Sequence, residues 1–180
     1  MRDIAILAAA VPGAEIKDGI LLVRADRIVA ALEALKKLGD FILFDISAVD
    51  RPAKAAPTAA APGVAATSVA EVAAPEPCFE LSYRLLDMKE KAKDFLTVRV
   101  ILDHEAPSVP SVIGVWKSAD VLEREVWDLM GVEFIGREKL GRILLRDDFV
   151  GHPLRKDFVM PKRERFLSPA WDRKAAEGGL

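Results

Sequence analysis

The sequence predicts a two-layer α+β fold, with helices on one face of a mixed, largely antiparallel sheet and an extended C-terminal tail. Three observations carry this. Apolar and polar residues alternate over 79–85 and again over 96–102. Helical apolar stripes stand before and after that pair. Beyond residue 136 the chain is charged and broken by prolines. Strands that pair as neighbours, flanked by helices, bury their apolar faces best in two layers.

The elements follow in order. Residues 16–23 (Ile-Lys-Asp-Gly-Ile-Leu-Leu-Val) predict a strand. Asp26 predicts a helix N-cap. Ile28, Leu32 and Leu35, flanked by Val29 and Leu38, form a helical stripe. Gly39 ends it, and Lys36 and Lys37 lie in the last turn, where positive charge is favourable. Phe41 to Ile46 is a second strand. Residues 51–77 are alanine and proline with almost no large side chains, and hold five of the eleven prolines. Such a run buries too little surface to offset its ordering entropy, so it reads as a flexible insertion. A short helix over 65–73 is the alternative.

Phe79, Leu81, Tyr83 and Leu85 alternate with polar residues, which predicts a half-buried strand. Lys89 to Asp94 reads as a charged turn. Leu96, Val98, Val100 and Leu102 make the next strand, and so short a connection predicts an antiparallel hairpin. Pro107 and Pro110 frame a loop. Ala119 to Met130 predicts a helix with Leu122, Val126, Leu129 and Met130 on one face, closed by Gly131. Between Arg142 and Arg165 stand seven basic residues against four acidic. Pro153, Pro161 and Pro169 exclude long helices there. A tail of this kind is expected to pack poorly on its own domain and to lie along something larger. The chain therefore divides into 1–50, the insertion 51–77, the rest of the domain over 78–135, and a partner-binding tail over 136–180.

Composition narrows the function. At 180 residues the chain suits one domain with a linker or tail. Its formal charge of −2 gives no general attraction to nucleic acid or anionic lipid. Cys78 is the single cysteine, so no internal disulfide forms; with only His104 and His152 beside it, a protein-only metal site is not expected. A reducing compartment follows. The start lacks a basic leader region, and Pro12-Gly13 interrupts its short apolar run, so no signal peptide is expected. No stretch reaches the ~20 apolar residues of a membrane helix.

Two clusters carry chemistry. On the 119–130 helix, Arg124 and Asp128 are four apart and placed to pair, an exposed contact worth ~0.3–0.5 kcal/mol. Glu123 shares a face with Trp127, and Glu125 lies toward Leu129. The two glutamates point to different faces, which disfavours a catalytic carboxylate pair. The helix face is either solvated or an interface or brace, with Arg124 suited to planar recognition of carboxylates. In Gly151-His152-Pro153-Leu154-Arg155-Lys156-Asp157, glycine and proline impose a tight backbone. His152 is open to two readings: a proton carrier or ligand, or a turn residue bonded to backbone or a partner. Asp147, Asp148, Arg155, Lys156 and Asp157 read as recognition charges. No phosphate-binding glycine loop and no Gly-x-Ser-x-Gly elbow occurs. Cys78 reads as a quiet thiol. No catalytic, cofactor-binding or metal residue is assigned.

Two stretches resemble the family of the 30 kDa subunit of NADH:quinone oxidoreductase, the bacterial respiratory complex I. Leu122-Glu123-Arg124-Glu125-Val126-Trp127-Asp128-Leu129-Met130-Gly131-Val132-Glu133-Phe134 resembles its Glu-Arg-Glu-x-x-Asp-φ-φ-Gly signature (φ apolar). The run from Arg142 through Asp147, Asp148 and Gly151-His152-Pro153 to Asp157-Phe158 resembles its second characteristic segment, in the family's order and spacing. The run 45–50 (Asp-Ile-Ser-Ala-Val-Asp), Ser111 and Trp116 also fall where the family has similar residues. The chain departs from the family over 136–142, where Arg137, Glu138, Lys139 and Gly141 replace its His, Pro, Asp and Arg, and at Asp120-Val121, where the family has Asn-Trp. The resemblance implies a structural subunit of the hydrophilic arm, peripheral on the cytoplasmic side of the membrane. Its neighbours would be subunits D, B and I. FMN, iron–sulfur clusters and quinone would belong to those neighbours, and NADH would be met only through the complex. Glu123, Arg124, Glu125, Asp128, Arg142, Asp147, Asp148, His152, Arg155, Lys156 and Asp157 would form the partner interface. An equivalent subunit of a membrane-bound hydrogenase or formate hydrogenlyase, a stand-alone hydrolase using His152 with Asp147 or Asp157, and a free adaptor remain as alternatives.

Overall fold

The computed structural model describes residues 4–11, 13–52, 76–88, 95–137 and 140–159. Most of the alanine- and proline-rich insertion, the alternative helix at 65–73, the charged turn at 89–94 and the tail beyond 159 lie outside the described residues.

Five strands form one sheet in the order β1 (Glu15–Lys17), β2 (Ile20–Leu22), β5 (Phe95–Asp103), β4 (Cys78–Asp87), β3 (Phe41–Arg51). Residues 16–23 are not one strand but a hairpin of β1 (Glu15–Lys17) and β2 (Ile20–Leu22). Asp18 and Gly19 between them both take positive φ, 52° and 74°. That pair of left-handed residues matches the right-handed twist of a two-residue hairpin. Asp26 does not cap a helix. A 3-10 turn over Ala25–Arg27 intervenes before α2 (Ile28–Leu38), and Arg24 takes the Asp26 carboxylate at 3.1 and 3.3 Å. α1 (Ile4–Ala9) occupies the apolar start and buries Leu7.

β3 (Phe41–Arg51) runs five residues past the predicted end. Its second half is poor in large apolar residues, yet every position from Asp45 to Arg51 has a partner on β4 (Cys78–Asp87). A bulge at Phe44 shifts the register between Leu43 and Asp45. β4 and β5 (Phe95–Asp103) are antiparallel, as their short connection predicted, and β2 joins β5 in parallel. The sheet is therefore mixed and largely antiparallel. β6 (Ser108–Pro110) and β7 (Glu133–Ile135) form a small parallel pair.

The core lies on one side of the sheet. Leu81, Tyr83 and Leu85 of β4 and Val98 and Val100 of β5 are fully buried, as are Ile28, Leu32 and Leu35 of α2. Each such aliphatic side chain contributes about 1.5–3 kcal/mol. α3 (Ala119–Met130) adds Val126 and Met130 and packs along β3. Trp116 Nε1 donates to Phe41 O at 3.2 Å and Ser118 Oγ to Leu43 O at 3.5 Å, fixing the start of α3 to the β3 edge. Gly131 ends α3 with φ 73°, its N–H donating to Trp127 O at 2.9 Å. Cys78 is half-buried, and burial, then the nearby Glu80 charge, push its thiol pKa up, so it stays protonated at neutral pH.

Candidate functional site

α3 is unusual in burying two acids. Glu123 and Asp128 are both wholly inaccessible. A buried charge must be paired and hydrogen-bonded to be tolerated, so the partners of these two acids define the site.

Asp128 grips the C-terminal segment. Its Oδ2 accepts three consecutive backbone N–H groups, from Ile143 at 3.1 Å, Leu144 at 2.9 Å and Leu145 at 2.9 Å. Its Oδ1 accepts Arg142 Nη1 at 2.6 Å. Successive N–H groups converging on one oxygen make an anion-binding nest. Burial alone would raise the Asp128 pKa. The N–H groups of 143–145 and the Arg142 guanidinium outweigh it and lower the carboxyl to about 2. Arg142 continues outward, donating from Nη2 to Phe149 O at 2.6 Å and Gly151 O at 3.3 Å. Its guanidinium lies 5.6 Å from the Trp127 ring centre and 5.8 Å from that of Phe149. Arg124 supports the same bend, donating to Gly141 O at 3.0 Å and Arg142 O at 2.9 Å.

The segment also closes the end of the helix. The last carbonyls of an α-helix lack intrahelical donors. Here His152 Nδ1 donates to Asp128 O at 3.0 Å, and Leu154 N donates to Leu129 O at 3.0 Å. The His152 ring lies directly over Gly131. A Cβ there would meet His152 Cδ2 at 2.6 Å, on a backbone already in the left-handed region. Glycine is required at 131 on both counts.

A second carboxylate holds the far end. Asp50, at the end of β3, is buried; it accepts Lys156 N at 2.7 Å and lies 2.9 Å from His104 Nε2. The Phe79 ring stacks on the His104 ring at 5.3 Å, and the Arg155 guanidinium lies 5.1 Å from the Phe79 ring centre. Arg155 also donates to His104 O at 3.4 Å and to Asp157 at 3.2 Å.

Glu123 braces the other side of α3. It accepts Val112 N at 2.7 Å and Ser111 Oγ at 2.7 Å, with Arg137 Nη1 at 3.4 Å. Arg137 also pairs with Asp120. Burial raises the Glu123 pKa; the Val112 N–H, Ser111 and Arg137 oppose it without cancelling it. The arginine that departs from the family pattern at 137 thus acts as counter-ion to the signature glutamate.

Several expectations are corrected by this geometry. Arg124 and Asp128 do not serve each other: each binds the segment beginning at Gly141. The described part of the tail does not pack poorly, because its backbone is tied to α3 and β3. Glu123 and Asp128 are too deeply enclosed to meet a partner. The side chains of Arg124, Arg142, His152 and Arg155 bond within the chain, while Glu125, Asp147, Asp148, Lys156 and Asp157 are exposed. His152 is fixed by a backbone carbonyl and Asp157 by Arg155, an arrangement unlike a His–Asp hydrolytic pair. Asp50, His104 and Arg137 join the site without a signal of their own in the sequence, although Asp50 closes the 45–50 run that resembles the family. A cleft of about 280 Å³ beside the clasp is lined by Trp127, His152, Arg155, Glu105 and Glu133 among others. Among the described residues no group of three or more His, Cys, Asp or Glu is arranged to hold a metal ion, and no helix is long and apolar enough to cross a membrane.

Fold and clasp define a class: an α+β domain whose signature helix carries a carboxylate-fastened C-terminal segment. The family described as "Respiratory-chain NADH dehydrogenase, 30 Kd subunit" matches residues 21–164, and the chain belongs to that family. It is 40% identical over 152 residues to the C subunit of the NADH-quinone oxidoreductase of Moorella thermoacetica, covering 82% of this chain and 86% of the relative. The corresponding subunit of Geotalea uraniireducens is 34% identical over 149 residues, covering 81% and 77%. Among solved structures, the trypsin-resistant fragment (1–134) of Nqo5 is similar with a TM-score of 0.56 at 28% identity, covering 78% of this chain and all of that one. A chain of the membrane-bound sulfane sulfur reductase, an archaeal respiratory membrane complex, is similar with a TM-score of 0.64, covering 97% and 89%. Its 24% identity speaks for the fold alone.

Proposed function

We propose that this chain is a structural and assembly subunit of the hydrophilic arm of a proton-translocating NADH:quinone oxidoreductase. Electrons pass from NADH through FMN and iron–sulfur clusters to quinone on neighbouring subunits. This chain supplies shape, charge and rigidity and holds no redox group. It contacts subunits D, B and I on the cytoplasmic side of the membrane. The observation that carries the reading is the family match over residues 21–164, which spans both signature stretches, 122–134 and 142–158. The clasp supports it: the signature residues are used to fix a segment in place, not to build a reaction centre.

Affinity purification of the tagged chain from detergent-solubilised membranes, followed by mass spectrometry, tests this. Subunits D, B and I are expected, with NADH:quinone activity in the eluate and no flavin or iron absorbance in the isolated chain. Recovery of nickel–iron hydrogenase subunits instead would assign the chain to a related complex. Recovery of the chain alone as a monomer would refute the proposal.

A further inference from the structure

We infer that this chain is built for a hot cell, with a fold and a polar network suited to outlast the ~45–65 °C at which ordinary domains melt. Such a build is independent of which complex the chain serves.

Neither asparagine nor glutamine occurs among the 180 residues. Both are ordinary surface residues of soluble proteins. Both are thermolabile: in heat the side-chain amide is hydrolysed, ammonia leaves and a carboxylate remains. Two causes unrelated to heat fail on the same composition. A bias in base usage would not spare the 12 lysines, whose codons differ from those of asparagine only in the third base. A shortage of nitrogen would not spare the 14 arginines. Charged residues make up 30% of the chain, above the ~25% of an ordinary domain. The other heat-sensitive types are few, with one cysteine and four methionines.

Carboxylates, guanidinium groups and glycine stand where amides ordinarily serve. Left-handed backbone favours glycine and asparagine. Among the described residues, the six positions with positive φ are five glycines and Asp18. Asn-Gly is a leading pair for a two-residue hairpin, yet the β1–β2 turn has Asp18-Gly19. With its unhindered glycine N–H, Asn-Gly is also the pair that loses its amide most readily. Across the site, arginines support the backbone carbonyls, a role open to side-chain amides as well. Arg124 donates to Gly141 and Arg142, Arg142 to Phe149 and Gly151, and Arg155 to His104. The ion pairs are linked: Glu80 takes both Arg51 at 3.2 Å and Arg99 at 3.3 Å, and Arg137 takes both Asp120 and Glu123. The cost of desolvating a charge falls as temperature rises, so linked pairs of this kind gain weight in the heat.

The test uses the full chain, both free and assembled in its detergent-solubilised membrane complex, because a subunit can depend on its neighbours. Circular dichroism follows melting of the free chain, and a native gel after heating follows its retention in the complex. At least one of the two transitions is expected above about 70 °C. Both transitions below that temperature would overturn the inference. Glu80→Gln tests the linked pairs by removing the charge that Arg51 and Arg99 share. The melting temperature should fall by about 2–4 °C, while the urea midpoint at 25 °C moves by less than about 0.3 M. A loss larger at 25 °C than near the melting point would overturn the assignment of these pairs to heat.

Discussion

Replacing Asp128 by alanine removes a buried acceptor of four hydrogen bonds, three from backbone N–H groups and one from Arg142. The Arg142 side chain, only 13% exposed, would remain enclosed without its counter-ion. Breaking a buried pair on one side costs about 3–5 kcal/mol. Asp128→Asn keeps one oxygen for the backbone donors but loses the charge and sets its NH2 group, a donor, against Arg142 Nη1, which should cost about 2–3 kcal/mol. The pH dependence gives an independent estimate. The carboxyl falls from the ordinary range to about 2 on folding, a displacement worth about 2 kcal/mol at neutral pH. Because the folded pKa lies below the unfolded one, this stabilisation is complete at neutral pH and is lost as pH falls from about 5 toward 2. Urea denaturation followed by circular dichroism, repeated from about pH 7 to about pH 3, spans most of that window and measures both quantities. Limited trypsinolysis should show faster cleavage at Arg142 and Arg146 in Asp128→Ala. A variant within about 1 kcal/mol of the parent chain at neutral pH, with the same pH slope and the same cleavage rate, would refute the reasoning that Asp128 fastens the segment.

The other buried acid should behave with the opposite sign. The Glu123 pKa is raised on folding, so its contribution is greatest below the unfolded pKa and declines as pH rises; the parent chain should lose ground to Glu123→Gln between about pH 4.5 and neutrality, measured by the same urea titrations. Gly131→Ala combines a left-handed alanine with a Cβ at 2.6 Å from His152 and should cost about 2–4 kcal/mol in thermal melts. Adding His152→Ala should recover part of that loss, and strict additivity in the double-mutant cycle would show that the ring is not the obstacle. Asp50→Ala should destabilise by about 1–3 kcal/mol and speed cleavage at Arg155, because it frees the Lys156 N–H at the far end of the segment; unchanged cleavage would mean that Asp50 does not hold it.

The sheet and the signature helix were legible in the sequence because their signals are local. Leu122, Val126 and Met130 repeat at helical spacing and Gly131 stops the helix where φ turns positive. The alternation in β4 and β5 fixes their faces, and the short connection between them fixes their pairing. Local signals failed where distant partners decide. Nothing in the spacing of Arg124 and Asp128 shows that each binds backbone 15–18 residues ahead. The second half of β3 carries little apolar character and becomes strand because β4 offers it hydrogen bonds. The β1–β2 turn is the exception, a local signal masked by its surroundings: Asp18-Gly19 lies inside an apolar run that also reads as one continuous strand. Partial legibility of the site has the same cause. Asp128, Arg142 and His152 stand out by type and pattern, but their burial and their use within the chain depend on how the tail folds back.

The closure of α3 has a consequence for biosynthesis. The groups that finish its last turn, His152 and Leu154, lie more than twenty residues downstream of the carbonyls they satisfy. During vectorial synthesis the helix can emerge and dock on the sheet while that end is still bare. Its final turn then waits for later residues to leave the ribosome. A chain cut short before residue 142 keeps the strands but leaves Asp128 without the donors that offset its desolvation, so fraying starts at the C-terminal end of the signature helix.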